Sequence, residues 1–328
     1  MRNEILFGDC RASLREMAAA GIVAQTCVTS PPYYGLRDYG HEGQIGLEAT
    51  PDLYVSRLVE VFRCVCDVLA DDGTLWLNIG DSYSDGKQLL MIPSILALAL
   101  KADGWVLRQR IVWAKPNSMP SSVTDRCTSS HEDVFLFSKS AKYFSDFDAI
   151  KTPPRESSLV RLTQDIQSQA GSHRGNGGKK TNGPMKAAGI ADKQRGHSRQ
   201  HAGFNTRWDA MERSEQMSKP ANMRDVWFVS PKGYNGAHFA VMPEEIARRC
   251  ILAGSHMGDL VLDPFMGSGT TAAVSVEHGR SFAGCELNAE YKPLQDERIA
   301  AAHVAVADRI EAMRVAALQP DMFEVVNG

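Results

Sequence analysis

The chain has 328 residues, of which 43% are hydrophobic, and its formal net charge is −3 at pH 7. This length allows one large core with room for a smaller lobe, and the near-neutral charge excludes a molecule whose whole surface attracts nucleic acid. No apolar run is long enough to span a bilayer, and the first residues lack a signal peptide. We therefore expect a cytoplasmic protein without a membrane partner.

Seven cysteines occur at irregular spacings, and no two of them form a C-x-x-C pair. The odd number and the irregular spacing argue against both a disulfide framework and a zinc site. We therefore predict reduced thiols and no metal centre.

Strands and helices alternate along the first part of the chain, because the period of the apolar residues switches between 2 and about 3.6. In chain order, the predicted elements are a strand at 4–8, a helix at 11–20, a strand at 25–29, a helix at 52–70, a strand at 74–79, a helix at 93–102 and strands at 105–115 and 133–138. A turn at Asp71-Asp72-Gly73 is expected to separate the second helix from the third strand.

The periodicity disappears after Pro153-Pro154 and returns at about Asp225. Inside this gap, residues 171–203 carry seven lysines and arginines against a single acid, together with many glycines. A solvated flexible loop and a local nucleic-acid-binding surface both fit this composition. Beyond the gap we predict, in order, a helix at 243–254, a strand at 260–263, a helix ending near 278, a strand at 281–287 and a helix at 290–317.

Alternating strands and helices predict an α/β fold with a doubly wound, mostly parallel, Rossmann-like sheet that is covered on both faces. We divide the chain into one half of this core at residues 1–152, an inserted and partly flexible lobe at 153–224, and the second half of the core with a C-terminal helix at 225–328.

A glycine loop follows the strand at 260–263 and reads Asp263-Pro264-Phe265-Met266-Gly267-Ser268-Gly269-Thr270-Thr271. Its glycines permit a tight turn and close approach of a ligand, and the helix that follows offers free N–H groups. Glu286, about 20 residues further on, is placed to bind ribose hydroxyls. The loop therefore predicts a nucleoside-bearing ligand, but its G-x-G-x-x-A spacing also fits a nicotinamide dinucleotide.

The carboxylate of Asp263 favours one of these ligands. It stands at the end of its strand, where ligands bind in open α/β sheets. A pyrophosphate would be repelled there, whereas an ammonium and a cationic sulfonium would be attracted. S-adenosylmethionine is the preferred cofactor on this argument.

The tetrapeptide Ser30-Pro31-Pro32-Tyr33 follows the strand at 25–29. Its prolines fix two φ angles near about −65° and remove two backbone donors, so the corner is rigid. The Ser30 hydroxyl and the Pro31 carbonyl would accept hydrogen bonds from the exocyclic amine of a base and aim its lone pair at a methyl donor. Tyr33 offers a flat face on which the base can stack. The preceding strand and the second ligand loop favour this catalytic interpretation over an ordinary proline-rich turn.

With both motifs in this order, the chain resembles the amino-directed DNA methyltransferases of the β arrangement, in which the target-recognition region lies between the catalytic and the cofactor motif. Ser30-Pro31-Pro32-Tyr33 matches S/D/N-P-P-Y, and Asp263 to Gly269 matches D-P-F-x-G-S-G. The resemblance covers most of residues 1–150 and 225–300. It implies a methyltransferase sheet with an inserted small recognition lobe, S-adenosylmethionine as cofactor, and methyl transfer to a base flipped out of double-stranded DNA.

The resemblance also implies roles for individual positions. Asp9 and Cys10 would lie on the adenine side of the cofactor, and Phe265 would pack against the adenine ring. Residues 34–46 would form a loop that closes over the flipped base. Residues 153–222 take the place of the recognition region, where we predict DNA contacts by Lys179, Lys180, Arg195 and Arg199.

Several alternatives stay open. Serine at the first position of the corner is more typical of cytosine-N4 enzymes, so we favour cytosine N4 over adenine N6. A nicotinamide-dependent oxidoreductase, a DNA-binding protein that has lost catalysis, and a methyltransferase for RNA or a protein amide are the rival functions. A homodimer through the helix at 290–317 and a cognate restriction endonuclease are partners that the sequence leaves open.

Overall fold

In the computed structural model, the described residues are 1–118, 120–154, 207, 210–231 and 242–318. By its internal contacts the chain divides into two compact units, Met1–Ile150 with Arg224–Gly328 and Lys151–Met223. Four residues that are predicted to contact DNA lie outside the described residues. They are Lys179, Lys180, Arg195 and Arg199.

Eight strands of the described residues form one sheet. They are β1 (Glu4–Phe7), β2 (Ala24–Thr29), β3 (Leu69–Ile79), β4 (Val106–Ala114), β5 (His131–Ser138), β6 (Val226–Phe228), β7 (Leu260–Asp263) and β8 (Ser281–Glu286). The α-helices are α1 (Cys10–Ala19), α2 (Pro51–Val68), α3 (Ile92–Ala102), α4 (Arg213–Ser218), α5 (Glu244–Gly254), α6 (Thr270–Glu277) and α7 (Lys292–Leu318). Helix α4 belongs to the smaller unit, and the other helices belong to the larger one.

The strands lie in the order β1-β8-β7-β2-β3-β5-β4-β6. Strand β5 runs antiparallel to β3 and β4, and the other pairings are parallel. The prediction of a mostly parallel α/β sheet is thereby confirmed. Among the described residues, no helix combines the length and the apolar character that crossing a membrane requires.

Helices cover both faces of the sheet, as the alternation of side chains in β3 illustrates. Leu75 and Leu77 point to one face, where they join a buried cluster with residues of α1, α2 and α3. Trp76 points to the other face and stacks on Trp227 of β6, with ring centroids 6.4 Å apart. A second buried cluster, separate from the first, is formed by residues of α6 and α7 with Phe282 of β8. Strands buried on both sides explain why the sequence reads as apolar runs.

Strands β3 and β6 differ from the sequence prediction, and helix α4 lies where no element was predicted. Strand β3 begins at Leu69, and Asp71-Asp72-Gly73 lies inside it instead of forming a turn before it. The pairing of β2 with β3 shifts register over this stretch, so the extra residues form a bulge. Strand β6 was not predicted, because it has only three residues and no periodicity can be read from so short a segment.

Gly254, the last residue of α5, packs where a side chain does not fit. A Cβ added there would lie 2.6 Å from Thr26 Oγ1 and 2.8 Å from Trp76 Nε1, both in buried side chains. We expect Gly254→Ala to lower the free energy of unfolding by about 1–3 kcal/mol, which urea denaturation would measure. Gly86→Ala is the control, because its Cβ would approach only Ser84 Oγ, at 3.7 Å. Equal unfolding midpoints of the two variants would contradict this account.

Candidate active site

A cavity of about 880 Å³ opens at the carboxyl-end edge of the larger unit's sheet. Strands β2 and β7 are neighbours there, with Cys27 opposite Leu262, so Ser30 and Pro264 follow adjacent strand ends. From this pair the strand order continues in opposite directions, toward β3 on one side and β8 on the other. Ligands of open α/β sheets bind outside the carboxyl ends of the strands at such a point.

Most of the predicted site residues line this cavity. Gly269 is the exception among the predicted catalytic and cofactor residues, because it precedes α6 with a φ of 84° and packs against Gln295. Ser30 and Gly267 thus face one cavity despite their distance in sequence, while the role of each residue stays a prediction. The lining predicted residues are Asp9, Cys10, Ser30, Pro31, Pro32, Tyr33, Asp263, Phe265, Gly267, Ser268, Thr270, Thr271 and Glu286.

Asp263 joins the two motifs by hydrogen bonds. Its Oδ1 accepts from Thr29 Oγ1 at 2.6 Å and from the Phe265 backbone N–H at 3.0 Å, and its Oδ2 accepts from Thr271 Oγ1 at 2.7 Å. The side chain is buried, and burial raises the pKa of Asp263 to about 6, although these hydrogen bonds oppose the shift. The carboxylate therefore ties the strand before the catalytic corner to the glycine loop.

The glycine loop is held by side chains on either side of it. Glu286 Oε2 accepts from the Gly267 N–H at 2.7 Å, and Gln295 Nε2 donates to the Gly267 carbonyl at 2.7 Å. Arg298 donates to Ser268 Oγ at 2.9 Å. Gln295 and Arg298 were not predicted, because on the sequence of α7 they look like ordinary polar positions of an amphipathic helix.

Glu286, which is predicted to bind ribose hydroxyls, accepts hydrogen bonds from the backbone at both oxygens. Its Oε1 accepts from the Asn288 N–H at 2.9 Å and its Oε2 from Gly267, so each carboxylate oxygen keeps a lone pair for a further donor. The carboxylate lines the cavity. Burial raises the pKa of Glu286, and the backbone N–H groups of Asn288, Gly267 and Leu287 oppose this shift. The residues present therefore fit a nucleoside at this end of the cavity.

Asp9 and Cys10 begin α1 at the same end of the cavity. Asp9 caps the helix by accepting from the Arg11 N–H at 2.8 Å, and it also pairs with the Arg11 guanidinium at 2.7 Å. These hydrogen bonds lower the pKa of Asp9. Burial raises the pKa of the Cys10 thiol to about 12, so Cys10 is a neutral packing residue at physiological pH.

The proline corner, Ser30-Pro31-Pro32-Tyr33, is fixed from two sides. Tyr54 donates its hydroxyl to the Pro32 carbonyl at 2.7 Å, and the Tyr33 ring lies so close to Gly80 that an added Cβ would be 2.7 Å from Tyr33 Cε2. The Tyr33 hydroxyl donates to Glu132 Oε2 at 2.6 Å and accepts from Asn78 Nδ2 at 2.8 Å.

Asn78 and Glu132 were missed by the sequence analysis. Asn78 interrupts the apolar run of β3 and is 2% exposed, and a buried amide within an apolar strand is a signal that could have marked it. Glu132 lies near the start of β5, which runs antiparallel and so brings its first residues to the carboxyl-end edge of the sheet. No local pattern marks that position.

Residues of the loop 34–46 also line the cavity, among them Tyr39 and His41. The loop is closed at its base by the Gly35 N–H donating to the Gly46 carbonyl at 2.8 Å. Tyr39 and His41 are near enough to Glu286 to interact with its charge. The loop therefore borders the cofactor half of the cavity as well as following the catalytic corner.

Comparison with known proteins identifies the family. The model of the N6/N4 DNA methylase family matches residues 24–297. The chain belongs to this family. The Type II methyltransferase M.SmaI of Serratia marcescens is 38% identical over 324 residues, which cover 90% of each chain.

Two solved structures share the fold. The PvuII DNA methyltransferase, which is cytosine-N4-specific, superposes with a TM-score of 0.59 at 17% identity and covers 91% of this chain and 86% of its own. A Thermus thermophilus protein complexed with S-adenosyl-L-methionine superposes with a TM-score of 0.54 at 21% identity, covering 92% of this chain and 94% of its own.

Because the chain belongs to this family, it is a DNA methyltransferase whose cofactor is S-adenosylmethionine. The family resemblance, the fold and the cofactor that the sequence predicted are therefore confirmed. The oxidoreductase alternative is left without support. The family covers both target amines, cytosine N4 and adenine N6.

The buried carboxyl of Asp263 predicts a pH-dependent stability difference. Because its folded-state pKa of about 6 lies above its ordinary value of 3.8, the group stabilises the cofactor-free protein most at low pH and loses this contribution as pH rises toward 7. Asp263→Asn removes the titration. From about pH 4 to 7, the unfolding free energy of the wild type should fall on the order of 3 kcal/mol further than that of the variant. Parallel stability curves in chemical denaturation would contradict the shift.

Proposed function

We propose that this N6/N4 methylase transfers a methyl group from S-adenosylmethionine to the exocyclic N4 amine of a cytosine flipped out of duplex DNA. The observation that carries the proposal is the position of the Ser30 hydroxyl, which faces the same cavity as the glycine loop on the adjacent strand. Bound S-adenosylmethionine supplies an electrophilic methyl group on a sulfonium. The likeness to the cytosine-N4-specific PvuII enzyme supports the choice of base.

The corner supplies the acceptors that the amine needs. The lone pair of an exocyclic amine is delocalised into the base, so it is a weak nucleophile until hydrogen bonds to its N–H groups orient it. Ser30 Oγ and the Pro31 carbonyl are in place to accept these bonds at the cavity wall. The Tyr33 ring, held between Gly80 and its hydroxyl partners, presents a fixed surface for stacking the base.

The cofactor would be held by the second motif. Glu286 would bind the ribose hydroxyls, Phe265 would pack against the adenine, and the glycines of the loop would let the cofactor approach the backbone. A covalent cysteine intermediate has no part in this mechanism. Burial raises the pKa of Cys10 to about 12 and that of Cys27 well above its ordinary value, so both stay neutral thiols.

Partners follow from the same proposal. Double-stranded DNA is the substrate, and the Type II name of M.SmaI supports a cognate restriction endonuclease that reads the same sequence. We place the recognition region in residues 153–224. A homodimer through α7 stays a prediction.

Expression in a host without DNA methylation, followed by sequencing that distinguishes N4-methylcytosine from N6-methyladenine, tests the function. We expect N4-methylcytosine at one recurring sequence and no modification with Tyr33→Ala, which removes the stacking surface. N6-methyladenine would overturn the choice of base. Unmodified DNA from cells that contain the folded wild-type protein would overturn the function.

The basic segment is predicted to bind DNA phosphates. Replacing Lys179, Lys180, Arg195 and Arg199 by alanine should weaken DNA binding and reduce the slope of log K against log salt by about 3 to 4, if each cation contacts one phosphate. Fluorescence anisotropy with a labelled duplex over a salt series measures the slope. Lys292→Ala, which removes an exposed partner of Asp296 on α7, is the control. An unchanged slope in the fourfold variant would remove the segment from the interface.

A further inference from the structure

Methylation of an exocyclic amine raises two questions about protons. A serine hydroxyl can donate or accept a hydrogen bond, but catalysis needs it to accept from the amine. The nitrogen also carries one proton too many once it has formed the new bond to carbon. The side chains that hydrogen-bond to Ser30 and Tyr33 answer both questions.

A chain of hydrogen bonds leads from Ser30 to a carboxylate. Ser30 Oγ donates to the Tyr33 hydroxyl at 3.3 Å, and the Tyr33 hydroxyl donates to Glu132 Oε2 at 2.6 Å. Asn78 Nδ2 donates to the same oxygen of Glu132 at 3.0 Å and to the Tyr33 hydroxyl at 2.8 Å. Asn78 Nδ2 also donates to Ser30 Oγ, at 3.4 Å. The Ser30 hydroxyl hydrogen is directed to Tyr33, so one lone pair of Ser30 Oγ is left to accept from a group in the cavity.

The hydrogen-bond chain ends at the Glu132 carboxylate, whose negative charge is compensated by Lys115. Lys115 donates to the other oxygen, Glu132 Oε1, and its ammonium lies 4.6 Å from the centroid of the Trp113 ring. The Glu132 and Lys115 side chains are 14% and 22% exposed. Both line the cavity, so the pair connects the corner with solvent.

Tyr33 is a neutral link in this chain. Burial raises its pKa well above 10, and the neighbouring Glu132 raises it further. The phenol is therefore neutral at physiological pH, and a proton passes it only if Tyr33 accepts one proton as it donates another. A hydroxyl with one acceptor and two donors within hydrogen-bond distance has the geometry for this exchange.

We propose that Glu132 receives the proton released by the target amine, through the hydroxyls of Ser30 and Tyr33. As the N–C bond forms and the S–C bond breaks, the amine proton passes to Ser30 Oγ. The Ser30 proton passes to the Tyr33 oxygen, and the Tyr33 proton passes to Glu132 Oε2. Both hydroxyls end neutral, and Glu132 ends as a carboxylic acid.

Charge is balanced by this route. The sulfonium loses its positive charge when it loses the methyl group, and the carboxylate loses its negative charge when it gains the proton. No co-reactant is needed. The inference rests on the proposed function only in taking a base amine as methyl acceptor, and it holds for cytosine N4 and adenine N6 alike.

Single-turnover methyl transfer to duplex DNA tests the relay. Glu132→Gln keeps the size of the side chain and removes the proton acceptor, and Tyr33→Phe keeps the ring and breaks the chain. Each should slow transfer by about 100-fold or more. The double variant should be no slower than the slower single variant, because both changes break one pathway. Dissociation constants for S-adenosylmethionine and DNA should stay within about twofold of the wild type.

A proton inventory separates the relay from a purely structural role. The wild-type rate in mixtures of H2O and D2O should depend on the deuterium fraction along a curve, because more than one proton moves in the step. Both single variants should lose this curvature. Asp133→Asn is the control, since Asp133 is the next residue of β5 but pairs with Arg110 and does not line the cavity. Its rate and curvature should match the wild type.

Four results would overturn the proposal, and three of them concern rates. They are a wild-type rate in Glu132→Gln, additive losses in the double variant, and an inventory that is linear in the wild type. A slow variant whose deficit is explained by weaker binding of DNA or cofactor would also overturn it. If Glu132→Gln does not fold, the transfer rate of Tyr33→Phe and the proton inventory of the wild type test the relay instead. A wild type that methylates no DNA would instead refute the proposed function.

Discussion

The hydrogen bonds of Asp263 are the interaction on which the site depends. A carboxylate that is 3% exposed is stable only if its oxygens are satisfied, and here Thr29 and Thr271 supply hydroxyl donors from β2 and α6. Because Thr29 directly precedes the catalytic corner, the same carboxylate that shapes the glycine loop also fixes where Ser30 begins. The two motifs are therefore one mechanical unit, although most of the chain lies between them.

Much of the fold could be predicted because its causes are local. Helix α2 was predicted at 52–70 and is observed at Pro51–Val68, since its apolar residues recur at helical spacing and Thr50 accepts the hydrogen bond that caps its start. The bulge at Gly73 was mistaken for a turn, because the same residue types favour both. The glycine loop and the proline corner could be found because each needs an unusual backbone that only certain residues provide.

The missed residues have causes that are not local. Gln295 meets Gly267 only because α7 packs against the start of α6, and Glu132 meets Tyr33 only because β5 is antiparallel and lies next to β3. Neither contact leaves a trace in the neighbouring sequence. Motifs therefore located the atoms that would touch the ligands, whereas the groups that hold those atoms in place required the strand order.

The distribution of charge in the cavity divides its carboxylates into two kinds. Asp9 is paired with Arg11 and Glu132 with Lys115, so these charges are compensated before any ligand binds. Asp263 and Glu286 accept hydrogen bonds from hydroxyl and backbone N–H groups, and among the described residues neither has an ion pair. Burial disfavours both as anions and raises the pKa of each. The cavity thus contains two carboxylates that are compensated by cations of the protein and two that depend on neutral donors alone. A cationic ligand would lower the cost of the second kind.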